Sequence, residues 1–206
     1  MDYLKIAGIA IIAGLFGGII ATTISMYIGI PKITPSENEL IREFYLTENA
    51  VYVSPHSLRL RMDAGHTNYI LVDVRSEEEY RSGHIIGAIN IPVYRSPDSS
   101  INLDTDVNEA AAIVEKFKAL PKDKEIIIYC YSAACMSGRK VGKLLAENGI
   151  YVKLLNIGWN EWRYYWNMWN HEGETAKVED YIASGPEPGT VMKRNSSSCS
   201  LGQFGC

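Results

Sequence analysis

Two cysteines set the chemical question. Cys130 closes the apolar run "EIIIYC", and Cys135 follows it in "YSAACMSGRK". A cysteine reacts as its thiolate, and backbone N–H groups or the positive end of a helix favour that form. After Cys130 the stretch "SGRKVGKLLAENG" reads as a helix starting near Ser137 and ending at Gly149. A strand end, a short loop and a helix N-terminus would then converge on one sulfur, an arrangement that can hold an anion and do covalent chemistry. Taken alone, Cys130 reads first as a small buried hydrophobe, which is what free cysteines most often are. Cys135 has two readings as well: a resolving thiol that attacks a persulfide or sulfenic acid on Cys130, or a buried spacer.

Short apolar runs alternate with amphipathic stretches on either side of this segment. "AVYVS", "YILVDV", "AINIP", "EIIIYC" and "YVKLLN" read as strands. "PHSLRLRMDAG", "SEEEYRSG" and "VNEAAAIVEKFKAL" read as helices, the last stopped by Pro121. Strands that are apolar throughout and alternate with helices call for a parallel sheet covered on both faces, an α/β fold. In such a sheet the carboxyl ends of the strands face the ligand crevice, where Cys130 would emerge.

Three ordered motifs carry a resemblance. "YILVDVRSEEEYRSGHIIGAINIP" (69–92), "IIIYCYSAACMSGRKVGKLLAENG" (126–149) and "NIGWNEW" (156–162) resemble the hallmarks of rhodanese-like domains across about residues 49–172. The resemblance implies a sulfurtransferase. A cysteine takes sulfane sulfur from a small sulfur-containing anion or a persulfide donor, becomes a persulfide, and passes the sulfur to a thiol acceptor. By matching position Cys130 is the nucleophile, and Tyr131, Ser132, Ala133, Ala134, Cys135, Met136 and Ser137 form the loop whose amides hold the persulfide. Asp73 and Arg75 match a pair below the loop that braces rather than reacts, and His84 matches a structural position in the turn between Gly83 and Gly87.

This chain departs from the family pattern in two ways. The stretch Tyr131–Gly138 carries no charge, Met136 stands where phosphatase relatives need an arginine, and the first arginine is Arg139. That argues against a phosphatase and weakens thiosulfate as the donor, because amides alone would have to neutralise it. The loop is also one or two residues longer than usual, with Cys135 inside it.

The rest of the chain frames the domain. Ile6 to Ile30 contains no charged residue between Lys5 and Lys32. The expectation is therefore an uncleaved single-pass membrane anchor over 1–32, with neither side of the membrane favoured. Ala10, Gly14, Gly18 and Thr22 lie four apart, so a helix-mediated dimer is one further option. Ser36 with Glu39 predicts a capped juxtamembrane helix within 33–48. The stretch 173–206 reads as a C-terminal extension without fixed structure from about Ala183, ending in a flexible tail with Cys199 and Cys206 as further resolving thiols. Trp159, Trp162, Trp166 and Trp169 form one stripe if helical, expected to pack in the core. A net charge of −4 excludes a basic footprint for nucleic acid. His56, His66 and His171 lack ligand spacing, so neither a metal nor a cofactor is expected. Two other functions remain open: a non-catalytic rhodanese-like binding module tethered to a membrane complex, and a thiol redox protein using Cys130 with Cys135.

Overall fold

The apolar runs pair as predicted in type, though each strand is shorter. In the computed structural model, which describes residues 10, 11, 13, 14, 34–96, 98 and 106–193, the strands are Tyr52–Val53 (β1), Tyr69–Asp73 (β2), His84–Ile85 (β3), Ile89–Asn90 (β4), Glu125–Tyr129 (β5), Lys153–Leu155 (β6) and Ile182–Ala183 (β7). The α-helices are Glu37–Val51 (α1), Pro55–Asp63 (α2), Glu77–Ser82 (α3), Val107–Lys118 (α4), Met136–Glu147 (α5) and Trp159–Tyr164 (α6). Five strands form a parallel sheet in the order β1-β6-β5-β2-β4, and β3 and β7 form a separate antiparallel pair.

Side chains alternate across the central strands, so each strand feeds two cores. Leu71, Ile127 and Tyr129 face Leu58 and Met62 of α2 and Trp159 and Trp162 of α6. Val72, Ile126, Ile128 and Cys130 face Ile113, Val114 and Phe117 of α4 and Val141 and Leu145 of α5. Burial of one such Leu, Ile or Phe side chain is worth about 1.5–3 kcal/mol. The sheet is thus parallel and covered by helices on both faces, as its uninterrupted apolar strands require.

The chain divides into two compact units, residues 1–44 and 45–206. The helix α1 has the predicted cap: Ser36 N and Oγ both donate to Glu39 Oε2, at 2.7 and 2.8 Å. It continues to Val51, past the expected end at 48, which delays the first strand from Ala50 to Tyr52. The predicted anchor over 1–32 lies outside the described residues except for Ala10, Ile11, Ala13 and Gly14, which are helical. Among the described residues no helix is long and apolar enough to cross a membrane.

Two expectations need correction. The tryptophan stripe is not one helix: α6 stops at Tyr164, Tyr165 takes φ −120°, and Trp166–Met168 is a 3-10 turn. The break lets the indoles fold over one another, Trp166 and Trp169 lying 4.5 Å apart and Trp162 and Trp169 5.0 Å. Trp159, Trp162 and Trp166 are buried in the core. The second correction concerns the stretch expected to lack fixed structure from about Ala183: through Val191 it packs, with residues 174–182 before it, against the rest of the domain. Glu174 pairs with His56 (2.8 Å) and Arg59 (2.6 Å), and Arg59 also bonds Asn170. Tyr181 donates to Asp63 at 2.6 Å, β7 pairs with β3, and Gly87 N donates to Pro188 O at 2.6 Å. The polar, Gly- and Pro-rich composition concealed this because the segment is held by side-chain and edge hydrogen bonds rather than by an apolar pattern of its own.

Glu174 makes fold stability depend on acid. Burial pushes its carboxyl up, but the hydrogen bonds and charges of His56 and Arg59 outweigh burial and hold it below the ordinary 4.5. A carboxylate whose folded value is depressed stabilises the fold fully above its unfolded value and loses that contribution as pH falls through the folded one. Denaturant unfolding followed downward from neutral pH should therefore show stability falling once pH drops below 4.5. Glu174→Gln should be weaker at neutral pH and show a shallower acid loss.

Candidate active site

The parallel register brings Cys130 to the carboxyl end of β5, between β2 and β6. It is 3% exposed and packs among Val72, Val74, Ile91 and Val141. Gly138 permits this contact: a Cβ there would meet Leu154 Cδ1 at 3.0 Å and Cys130 Cβ at 3.8 Å. The loop after Cys130 turns once, with Cys135 N donating to Ser132 O at 3.0 Å, and enters α5 at Met136, one residue before the predicted start. Tyr131, Ala133, Ala134 and Met136 are exposed, while Ser132, Cys135 and Ser137 are half-buried. Cys135 is the N-cap of α5, makes no side-chain capping bond, and is joined to Cys130 by a disulfide with Cα atoms 6.3 Å apart. The first turn of α5 contains no acidic residue, so no carboxylate of that turn offsets the positive helix end beside the two sulfurs.

The loop is held from below by the turn between β6 and α6. Trp159 N donates to Cys130 O and Asn160 N to Tyr131 O, both at 2.9 Å. This approach needs glycine at 158, where a Cβ would overlap the backbone of Tyr131 and Ser132. Glu161 Oε2 accepts from Gly158 N at 2.9 Å and from Ala133 N at 3.2 Å. Arg139 donates to Ala133 O at 3.1 Å and Cys135 O at 3.3 Å, so its guanidinium ties the outside of the loop.

Asp73 and Arg75 lie one layer deeper, 0% and 1% exposed. Arg75 donates to Asp73 through Nε and one terminal nitrogen (3.0 and 2.6 Å), and that nitrogen also reaches Gly83 O at 2.7 Å. Tyr129 Oη donates to Asp73 at 2.7 Å and accepts from Ile85 N at 3.0 Å. Burial and the charge of Asp73 raise the Tyr129 phenol well above its ordinary value, so it stays protonated and able to donate. Burial opposes the charge of Arg75, but the bonds and charge of Asp73 outweigh it and keep the guanidinium protonated. Arg75 also lies over the Trp159 ring at 4.9 Å. His84 is fully buried, stacked on Tyr80 at 3.8 Å, with Nδ1 2.8 Å from Tyr80 O and Nε2 3.1 Å from Glu187 O.

The residues singled out in sequence thus come together in two layers: Cys130 to Ser137 and Arg139 above, Asp73 and Arg75 below. Cys199 and Cys206 lie outside the described residues. Sequence reasoning missed Glu161 and Tyr129. Glu161 carries a local signal, a carboxylate three residues after the glycine that opens α6. Tyr129 carries none, since it reads as one more apolar strand residue.

Removing one partner of a buried ion pair strands the other. Arg75→Met should therefore cost about 3–5 kcal/mol of unfolding free energy, read from urea denaturation, because Asp73 would keep a buried charge.

Residues 54–164 match the rhodanese-like domain. A curated relative, the HTH-type transcriptional regulator Rv0324 of Mycobacterium tuberculosis, is 35% identical over 103 residues, covering 50% of this chain and 37% of its own length. The chain therefore spans little more than a third of that relative. Among solved structures, BH2092 protein from Bacillus halodurans is 28% identical with TM-score 0.49, over 73% of this chain and 88% of its own. Saccharomyces cerevisiae Ygr203w, described as a homolog of single-domain rhodanese and the Cdc25 phosphatase catalytic domain, is 19% identical with TM-score 0.44, over 66% and 88%. The family match takes in more than half of the chain, from α2 through the sheet and the cysteine loop to α6, and the protein belongs to the rhodanese-like domain family.

Proposed function

We propose that the protein is a sulfurtransferase in which Cys130 attacks a sulfane-sulfur donor, carries the sulfur as a persulfide, and yields it to a thiol. The observation that carries this reading is the position of Cys130 at the end of β5, under a loop that runs straight into the N-terminus of α5. An anionic persulfide there would meet loop amides and the positive helix end rather than a counter-ion side chain.

The loop's electrostatics favour a particular donor. Arg139 is engaged with two loop carbonyls, and the loop's nearest carboxylate, Glu161, already accepts from the Ala133 amide. A doubly charged thiosulfate would approach a negative group and one fewer amide. A neutral persulfide avoids that repulsion, a singly charged persulfide or polysulfide roughly halves it, and either can lie along exposed Tyr131 and Met136. Attachment to a membrane through residues 1–32 is part of the proposal and rests on the uncharged run from Ile6 to Ile30. An alkaline wash of membranes should leave the full chain in the pellet, and its release would remove the anchor.

Cys130→Ser should take up no sulfur from a hydropersulfide, as read by intact mass, while its unfolding curve stays close to that of the reduced parent, which lacks the Cys130–Cys135 bond as well; a binding module would show no uptake in the parent either. Glu161→Gln keeps an oxygen acceptor for Gly158 and Ala133 but removes the charge. Its kcat/KM for thiosulfate should rise roughly fivefold, the factor that about 1 kcal/mol of charge repulsion represents. An unchanged or lower value would sink the electrostatic argument about the donor.

A further inference from the structure

We propose that Cys135 resolves the Cys130 persulfide within the same chain, so that the domain reduces sulfane sulfur to sulfide and is left as the Cys130–Cys135 disulfide. This inference rests on the Cys130 persulfide reading above and adds a second activity to it.

The structure joins the two sulfurs directly, so Cys135 Sγ reaches Cys130 Sγ where Cys130 follows the end of β5. The loop that delivers it is held in this closed form at three points. Its own turn joins Cys135 N to Ser132 O, Arg139 ties the carbonyls of Ala133 and Cys135, and Glu161 ties the Ala133 amide. Cys135 also sits at the N-cap of a twelve-residue helix with no acid in its first turn, where a thiolate is favoured. A second thiol held this way competes with external thiols at an effective concentration in the millimolar range or above.

The chemistry balances as follows. The Cys130 thiolate attacks the outer sulfur of R–S–SH, R–S⁻ leaves and takes a proton, and Cys130 becomes a persulfide. The Cys135 thiolate then attacks Cys130 Sγ, the bond between Cys130 Sγ and the outer sulfur breaks, and the outer sulfur departs with the electron pair as HS⁻. The two cysteines together lose two electrons and the sulfane sulfur gains two. Sulfide is a low-pKa leaving group, which favours this direction. An external dithiol then supplies the two electrons that reopen the disulfide. Burial decides which sulfur it attacks: Cys130 is 3% exposed, whereas Cys135 is half-buried at the loop's end. The mixed disulfide therefore forms on Cys135, and Cys130 is released as the thiolate ready for the next donor. The reaction class that must follow this protein is dithiol reduction, and the one it feeds must consume sulfide.

The test uses the 206-residue chain, fully reduced, freed of reductant and given one equivalent of cysteine hydropersulfide without oxygen. The parent should release one sulfide per chain as peptide 125–139, which holds both cysteines, loses two hydrogens at the same rate. Cys135→Ser keeps a good helix cap. It should instead retain one added sulfur on that peptide, with a lifetime longer by about tenfold or more. Cys135→Ala should behave in the same way. Equal persulfide lifetimes in the parent and both variants, or a new disulfide joining Cys130 to Cys199 or Cys206, would overturn the inference while leaving the persulfide reading intact. No added sulfur on any of the three proteins and no sulfide would overturn both. The coincidence of sulfide release with disulfide formation is read in the parent and does not depend on either variant folding.

Discussion

The buried pair of Asp73 and Arg75 is the contact on which the rest of the site depends. Two opposite charges removed from water are stable only when their remaining hydrogen-bonding capacity is filled. Here that requirement recruits distant parts of the chain. Arg75 takes Gly83 O, Asp73 takes the Tyr129 hydroxyl, and Tyr129 in turn takes Ile85 N. The guanidinium lies over Trp159, whose amide holds the carbonyl of Cys130. The ends of β2 and β5, the turn into β3 and the start of α6 are thereby fixed against one another, next to Cys130. Rigid support of this kind keeps a reactive sulfur in one geometry.

Above that layer the loop carries little side-chain charge of its own. The loop offers amides and a helix end but no free cationic side chain, and a carboxylate takes one of the amides from below. Arginine is present, yet Arg139 serves the loop's carbonyls and acts as a clasp rather than a counter-ion. Backbone groups stabilise a single sulfur-borne charge well and a compact dianion less well. The same clasp bonds the carbonyl of Cys135, whose sulfur is joined to that of Cys130.

The C-terminal segment contributes to the fold through polar contacts. Glu174 neutralises Arg59 and bonds His56, Tyr181 bonds Asp63, and β7 covers the edge of β3 that carries His84. These partners lie about a hundred residues or more apart in sequence, so their contacts are long-range ones. They also close the face opposite α4 and α5, where Tyr181 packs at 5.3 Å from Trp166.

Much of this was legible in the sequence because it is written in local patterns. Continuous apolar strands alternating with amphipathic helices required a parallel sheet with two covered faces, and a cysteine closing a central strand had to emerge at the ligand edge. The Ser36–Glu39 cap and the helix stop at Gly149 follow from residue type and spacing alone. Other features depended on contacts between residues far apart. Whether Cys135 was a spacer or a partner of Cys130 turned on how the loop folds back. Arg139 became a clasp because two carbonyls point at it, Tyr129 became a hydrogen-bond relay because Asp73 lies opposite it in register, and residues 174–191 found order in partners on α2 and β3. Periodicity records which face of an element is apolar; it does not record which polar groups meet when those faces are buried, and that pairing is what the tertiary structure decided.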